Sequence, residues 1–149
     1  MIFGVVHKTD AHKDFPEDRT ALCPCGAGIL VKAGHEVLIE SRLGEGNGFS
    51  DEEYLVEGAR IIHSFEEVVR RSQVVLRVAP PGDRLGELMQ PGQVLCTLLQ
   101  YGVDEQEVAD RFAATGATAL ALEDLRNDRG KRPIFLGLSE IAGAMMPHI

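Results

Sequence analysis

The chain has 149 residues, of which 44% are hydrophobic and 26% charged, with a formal net charge of −8. This length fits one domain, and the composition excludes a disordered chain. An acidic chain without a basic stripe repels phosphate, so no nucleic-acid partner is expected. Since no apolar run approaches the roughly 20 residues that span a bilayer, and no signal peptide is evident, we expect a cytoplasmic protein without membrane contact.

Short apolar runs alternate with helical patterns from the first residues onward. Residues 2–6 predict a strand, and after a polar loop the stretch 24–33 predicts a helix that ends before Gly34. A second strand is predicted at 35–40, followed by a flexible glycine loop at 44–48.

Capping-box spacing predicts three helix starts, because a cap oxygen accepts a backbone N–H while an acid three residues later reaches back. The pairs are Ser50 with Glu53, Ser64 with Glu67, and Asp104 with Glu107. Continuous apolar runs are typical of strands buried on both faces, and they occur at 59–62, 74–78, 94–99 and 118–122. A last strand at 133–136 and a helix at 139–146, capped by Ser139, are also predicted.

This alternation of strands and helices predicts an α/β fold. We expect a three-layer, Rossmann-like (flavodoxin-like) domain with a mainly parallel sheet and helices on both faces. No internal repeat, low-complexity tract or interdomain linker is evident, so residues 1–149 are expected to form a single domain.

The three cysteines are Cys23, Cys25 and Cys96. An odd number without an export signal argues against a disulfide framework. With His7 and His12 upstream, a metal site around Cys23 and Cys25 is conceivable. However, C-x-C lacks the paired C-x-x-C spacing of common zinc sites, and cysteine often serves as a small buried hydrophobic residue. We therefore expect no metal.

An ordered set of segments carries a resemblance that covers nearly the whole chain. The segments are EDRTALCP at 17–24, LVKAGHEVLIE at 30–40, GEGNGFSDEEY at 44–54, GARII at 58–62, PGQVL at 91–95 and LSEIAG at 138–143. Together they resemble the N-terminal domain of the alanine dehydrogenase and nicotinamide nucleotide transhydrogenase family. The stretch 123–132 also resembles the saccharopine dehydrogenase branch, which shares this domain.

The resemblance implies a substrate-binding role. Enzymes of this family interconvert an amino acid and its 2-oxo acid, or form a secondary amine from the two, with a nicotinamide cofactor. Their first domain supplies an arginine for the substrate carboxylate, and Arg19 stands at that position. A guanidinium fork matches a carboxylate in bidentate geometry. The alternative is a surface arginine that pairs with Glu17 or Asp18.

The catalytic lysine and histidine of the family are replaced. The lysine position falls on Ala79 and the histidine position on Gln100, as in the transhydrogenase branch, which also lacks both. Arg77 keeps a positive charge nearby but has too high a pKa for acid–base work, whereas Gln100 can orient a carbonyl but cannot titrate. The implied substrate-binding set is Arg19, Arg77 and Gln100, and no catalytic residue is assigned. His7 and His12 lie in the loop before Arg19, and one of them is an alternative candidate for the lost acid–base group.

The dinucleotide fingerprint is also missing. Neither the glycines at 26–28 nor those at 44–48 complete G-x-G-x-x-G, and in the family this fingerprint follows the final helix seen here. The nucleotide-binding domain is therefore expected to be absent. We expect no cofactor in this chain, with NAD(P) held only by a partner domain or chain. An apolar patch is expected near Met145 and Met146, covered by that partner or by a homo-oligomer.

Two hypotheses about function remain open, and with them the question of whether the chain is an enzyme. In the first, the chain binds a small amino or 2-oxo acid and takes part in redox chemistry only with a separate NAD(P)-binding chain. In the alternative, it is a catalytically inactive stand-alone binding, regulatory or protein-interaction module. Both binding hypotheses require Arg19 and Gln100 to line one cleft at the carboxyl ends of the strands.

Overall fold

The computed structural model describes residues 1–7, 18–80, 83–99 and 106–145. Within these ranges the strands are β1 (Ile2–Val5), β2 (Glu36–Glu40), β3 (Arg60–Ile62), β4 (Val74–Leu76), β5 (Val94–Thr97) and β6 (Thr118–Ala121). The helices are α1 (Pro24–Lys32), α2 (Asp51–Val56), α3 (Phe65–Arg71), α4 (Asp83–Leu88), α5 (Gln106–Ala114) and α6 (Pro133–Met145).

The strands form one sheet in the order β3-β2-β1-β4-β5-β6, and every neighbouring pair is parallel. The predicted α/β fold with a parallel sheet is therefore confirmed. The strand order reverses between β1 and β4, because β2 lies on one side of β1 and β4 on the other. Where such a reversal occurs, a crevice opens beyond the carboxyl ends of the strands, and open α/β sheets bind their ligands there.

Both faces of the sheet are covered at β2, which explains its continuous apolar run. Val37 and Ile39 belong to a core cluster with Ala27 of α1 and Tyr54 of α2. Leu38 points to the opposite face, where it joins a second cluster built with α3, α4 and α5. All three strand residues are almost fully buried. Since consecutive side chains of a strand face opposite sides, a strand covered twice needs apolar residues at every position.

The predicted helix starts at Ser50 and Ser64 are confirmed. The Ser50 hydroxyl accepts the Glu53 backbone N–H at 3.3 Å, and the Glu53 carboxylate accepts the Ser50 N–H at 2.7 Å. This is a complete capping box at the start of α2. At the start of α3, the Ser64 hydroxyl accepts the Glu67 N–H at 3.2 Å. Asp104 lies outside the described residues.

The last part of the chain departs from the sequence prediction. The strand expected at 133–136 and the helix start expected at Ser139 are both wrong, because one helix runs from Pro133 to Met145. A proline fits the first turn of a helix, where its missing N–H would have no intrahelical acceptor. Helix α4 was not predicted, because it has only six residues and includes Gly86. The loop at 44–48 contains a short 3-10 turn at Glu45–Asn47.

Candidate functional site

A cavity of about 650 Å³ lies beyond the carboxyl ends of β4, β5 and β6. Its sheet-side wall comes from residues that follow these strands: Arg77 and Val78 after β4, Leu98 after β5 and Leu122 after β6. The cavity therefore lies beside the reversal of strand order, where an open α/β sheet offers a ligand site. Its volume is within the range of small-molecule pockets, about 300–1,000 Å³.

The opposite wall of the cavity is formed by two loops that are hydrogen-bonded to each other. Arg19 and Thr20 belong to the segment that enters α1, and Asn47 belongs to the turn that follows β2. The Thr20 backbone N–H donates to the Asn47 side-chain oxygen at 2.7 Å. A Cβ atom at Gly46 would lie 2.8 Å from the backbone oxygen of Asp18, so this close approach requires glycine. The position of Arg19 is thus set by contacts with the loop after β2.

The structure brings Arg19 and Arg77 to the same cavity. Arg19 is exposed at its mouth, whereas the Arg77 side chain is only 1% exposed. Two guanidinium groups at different depths create a positive potential that favours an anion. Gln100, the third residue of the implied set, lies outside the described residues.

Glu40, at the end of β2, is an acidic group whose pKa is influenced by Arg77. Burial raises the pKa of the Glu40 carboxyl, and this effect outweighs the opposing influence of the His7 backbone N–H and of the positive charges of His7 and Arg77. The His7 N–H donates to the Glu40 carboxylate at 2.7 Å. His7 thus lies next to Glu40 at the end of β1. His12 lies outside the described residues.

The position of the family lysine offers no titratable group. Ala79 is buried, and its carbonyl accepts the Thr97 hydroxyl at 2.6 Å. Thr97 itself is fully buried at the end of β5. Apart from the two arginines, the only titratable side chain among the described lining residues is that of Cys23. The described wall can therefore bind and orient an anion, but it lacks the usual general acid or base.

The expectation that the cysteines are buried hydrophobic residues is correct only for Cys96. Cys25 is exposed and Cys23 is partly exposed, with their sulfur atoms 3.0 Å apart. Cys23 also lines a second cavity of about 570 Å³, together with Cys25, Phe49 and residues of α2. Within the described ranges, no group of three or more His, Cys, Asp or Glu side chains is placed to hold a metal ion.

Helix α6 exposes large apolar side chains along its length. Phe135 is 43% exposed, Leu136 45% and Ile141 62%, whereas Ile134 and Leu138 also line the cavity. These exposed side chains belong to earlier turns of the helix than the patch expected near Met145 and Met146, and the Met145 side chain lies outside the described part of the chain. Met146 lies outside the described residues. No helix in the part of the chain that the structure describes is long and apolar enough to cross a membrane.

Comparison with known proteins gives consistent matches over most of the chain. Residues 11–142 match the family described as "Alanine dehydrogenase/PNT, N-terminal domain". The alanine dehydrogenase of Bacillus subtilis is 35% identical over 149 residues, which is 100% of this chain and 38% of that protein. The alanine dehydrogenase of Mycolicibacterium smegmatis is 31% identical over 133 residues, covering 89% of this chain and 36% of that enzyme.

Two solved structures agree with this result. An L-alanine dehydrogenase superposes with a TM-score of 0.85 at 33% identity, covering 96% of this chain and 38% of that chain. A transhydrogenase from Sinorhizobium meliloti gives a TM-score of 0.73 at 25% identity, covering 87% of this chain and 37% of that chain. The present chain thus spans little more than a third of the length of these relatives.

Proposed function

Because the chain belongs to the family of alanine dehydrogenase and transhydrogenase N-terminal domains, we propose that it binds a small amino or 2-oxo acid between Arg19 and Arg77. The observation that carries this proposal is that both guanidinium groups line one cavity at the carboxyl edge of the sheet. A carboxylate there would meet the exposed Arg19 first and the positive potential of the buried Arg77 behind it.

Hydride transfer requires a second component. Apart from the Cys23 thiol, the described cavity wall holds no group suited to general acid–base work, and the sequence contains no complete dinucleotide fingerprint. Hydride transfer needs the cofactor held against the substrate. We therefore propose that NAD(P) is supplied by a separate chain or domain, and that the exposed apolar face of α6 is part of the surface that meets it.

A second candidate function is a catalytically inactive binding or regulatory module. It is favoured by the replacement of the family lysine by Ala79, which is buried and leaves no titratable side chain at that position. This candidate shares the carboxylate site with the first and differs in having no nucleotide-binding partner. Fold alone does not choose between them, since one fold serves many functions.

The carboxylate site can be tested by thermal unfolding of the purified chain with a panel of amino acids and 2-oxo acids. A ligand selective for the folded state stabilises it by about 2.7 kcal/mol at 100 times its dissociation constant. We expect at least one 2-oxo acid to raise the melting temperature. Arg19→Ala should weaken its binding by about tenfold or more, because a hydrogen-bonded charge pair contributes about 1.5–3 kcal/mol.

The matched control is Arg60→Ala. Arg60 is exposed on β3, where it pairs with Glu36 at 2.9 Å, and it does not line the cavity. This variant should bind as the unmodified chain does. Equal binding by the Arg19 variant, or no response to any carboxylate, would contradict the proposal.

The requirement for a second component has its own test. NAD(H) and NADP(H) alone should leave the melting temperature unchanged, and the chain with NADH, ammonium and a 2-oxo acid should show no NADH oxidation. Thermal stabilisation by a dinucleotide, or turnover by the chain alone, would show that this chain holds its own cofactor.

A further inference from the structure

Cys23 and Cys25 occupy the first positions of α1 on either side of a proline. Cys23 is the N-cap residue, with extended backbone angles of −79° and 164°, and Pro24 is the first helical residue. The proline ring restricts φ, so the backbone between the two cysteines has few alternative conformations. In this arrangement the two sulfur atoms are 3.0 Å apart.

Both thiols can be reached from outside. Cys25 is exposed, and the partly exposed Cys23 lies in the walls of both cavities described above. Cys96, in contrast, is buried in β5. A small reagent thus has access to the pair at the start of α1 before it can reach the third cysteine.

The surroundings distinguish the two thiols chemically. The contact with the Cys25 thiol, followed by the backbone amide of Gly26, lowers the pKa of Cys23. The same contact with Cys23 raises the pKa of Cys25, and the negative charge of Glu57 acts in the same direction. Since the thiolate is the nucleophile, Cys23 is the better attacking group, and Cys25 is the neighbouring thiol that can resolve the product.

We propose that Cys23 and Cys25 form a redox-active dithiol, in which Cys23 attacks a small hydroperoxide and Cys25 resolves the product. The Cys23 thiolate attacks one peroxide oxygen, the O–O bond breaks, and the other oxygen leaves as hydroxide, which takes up a proton to become water. Cys23 is then a sulfenic acid. The Cys25 sulfur next attacks the Cys23 sulfur, so that an S–S bond forms and a second water leaves. In sum, two thiols are oxidised and one hydrogen peroxide is reduced to two waters.

The test uses the purified, reduced chain, hydrogen peroxide and peptide mass spectrometry. Cleavage after Arg19 and Lys32 places both cysteines in the peptide 20–32, whereas Cys96 falls in a separate peptide after Arg84. Peroxide should lower the mass of peptide 20–32 by about 2 Da, the two hydrogens lost on forming a disulfide, and a thiol reductant should restore it. Cys96→Ala, the control variant, should behave in the same way.

Two further variants test the assigned roles. In Cys25→Ser the resolving thiol is missing, so Cys23 should accumulate as a sulfenic acid that dimedone labels. In Cys23→Ser the attacking thiol is missing, so peroxide should no longer remove two hydrogens from peptide 20–32.

Three results would overturn the proposal. The first is an unchanged mass of peptide 20–32 under peroxide. The second is a disulfide that forms between two chains and not between Cys23 and Cys25 of the same chain. The third is a Cys25→Ser variant in which peroxide gives no dimedone-labelled Cys23. These readouts do not depend on carboxylate binding, so they stand or fall separately from the proposed function.

Discussion

The central strands of the sheet and its edge at β6 differ in how completely their side chains are buried. Around β1, β2 and β4, apolar side chains fill clusters on both faces, and Leu38 at the centre is 0% exposed. At β6 and α6, exposed residues alternate with half-buried ones along the strand, and the helix packs mainly against the turn Leu122–Asp124. Leu136 and Ile141 of α6 remain 45% and 62% exposed.

This difference shows that apolar composition alone does not define a core. Helix α6 is among the most apolar segments of the chain, yet its large side chains face water because no described element covers them. Exposed apolar patches of this kind commonly mark interaction surfaces. We therefore expect the region around β1, β2 and β4 to provide most of the free energy of unfolding. The region of β6 and α6 should contribute mainly an interaction surface.

The largest expected effect on stability comes from a leucine-to-alanine substitution made once in each of these two regions. Leu38→Ala should lower the free energy of unfolding by about 2–5 kcal/mol, because it leaves a cavity between packed layers. Leu136→Ala removes the same atoms from an exposed site and should change it by less than about 0.5 kcal/mol. Urea unfolding of both variants measures the difference. Similar losses would mean that α6 is covered in solution, for example by a second copy.

A smaller effect on stability is expected from substitution of two serines, one that precedes α2 and one that lies within α6. Ser50→Ala removes the capping box of α2 and should cost about 1 kcal/mol. Ser139 lies inside α6, where alanine is the better helix former, so Ser139→Ala should be neutral or slightly stabilising. The pair can be compared by thermal unfolding. A loss at Ser139 equal to that at Ser50 would support the helix start that the sequence suggested and the structure does not show.

The smallest effect concerns the pH dependence of stability and the Glu40 carboxyl at the end of β2. Burial raises the pKa of Glu40 above its unfolded value, so between the two values the folded chain binds more protons than the unfolded chain. The free energy of unfolding should therefore fall as pH rises through that window. Glu40→Gln should remove this falling contribution, and Glu140→Gln on the exposed surface of α6 is the control. Denaturant titrations across pH would contradict the expectation if Glu40→Gln left the pH profile unchanged.

The candidate site was only partly accessible from the sequence. Arg19 and Arg77 were both named, but from a resemblance rather than from any local pattern. The contact between Cys23 and Cys25 was missed, although the proline between them and their place at a helix start were visible in the sequence. Cysteine is often a small buried hydrophobic residue, which favoured burial, and the C-x-C spacing fits no common zinc site, which argued against a metal.

By itself, the sequence determined the local structure: apolar strands buried twice, serine caps, and the alternation that requires a parallel sheet. These features depend on residues within a few positions of one another, so short-range sterics and hydrogen bonding specify them. The prediction from sequence failed at α6, because an apolar helix without a polar face has no clear helical period. Only the tertiary structure decided that Arg19 and Arg77, 58 positions apart, share a cavity and that Arg77 is buried. The physical reason is that the order of the strands, set by the crossover connections, determines which strand ends meet at one edge of the sheet.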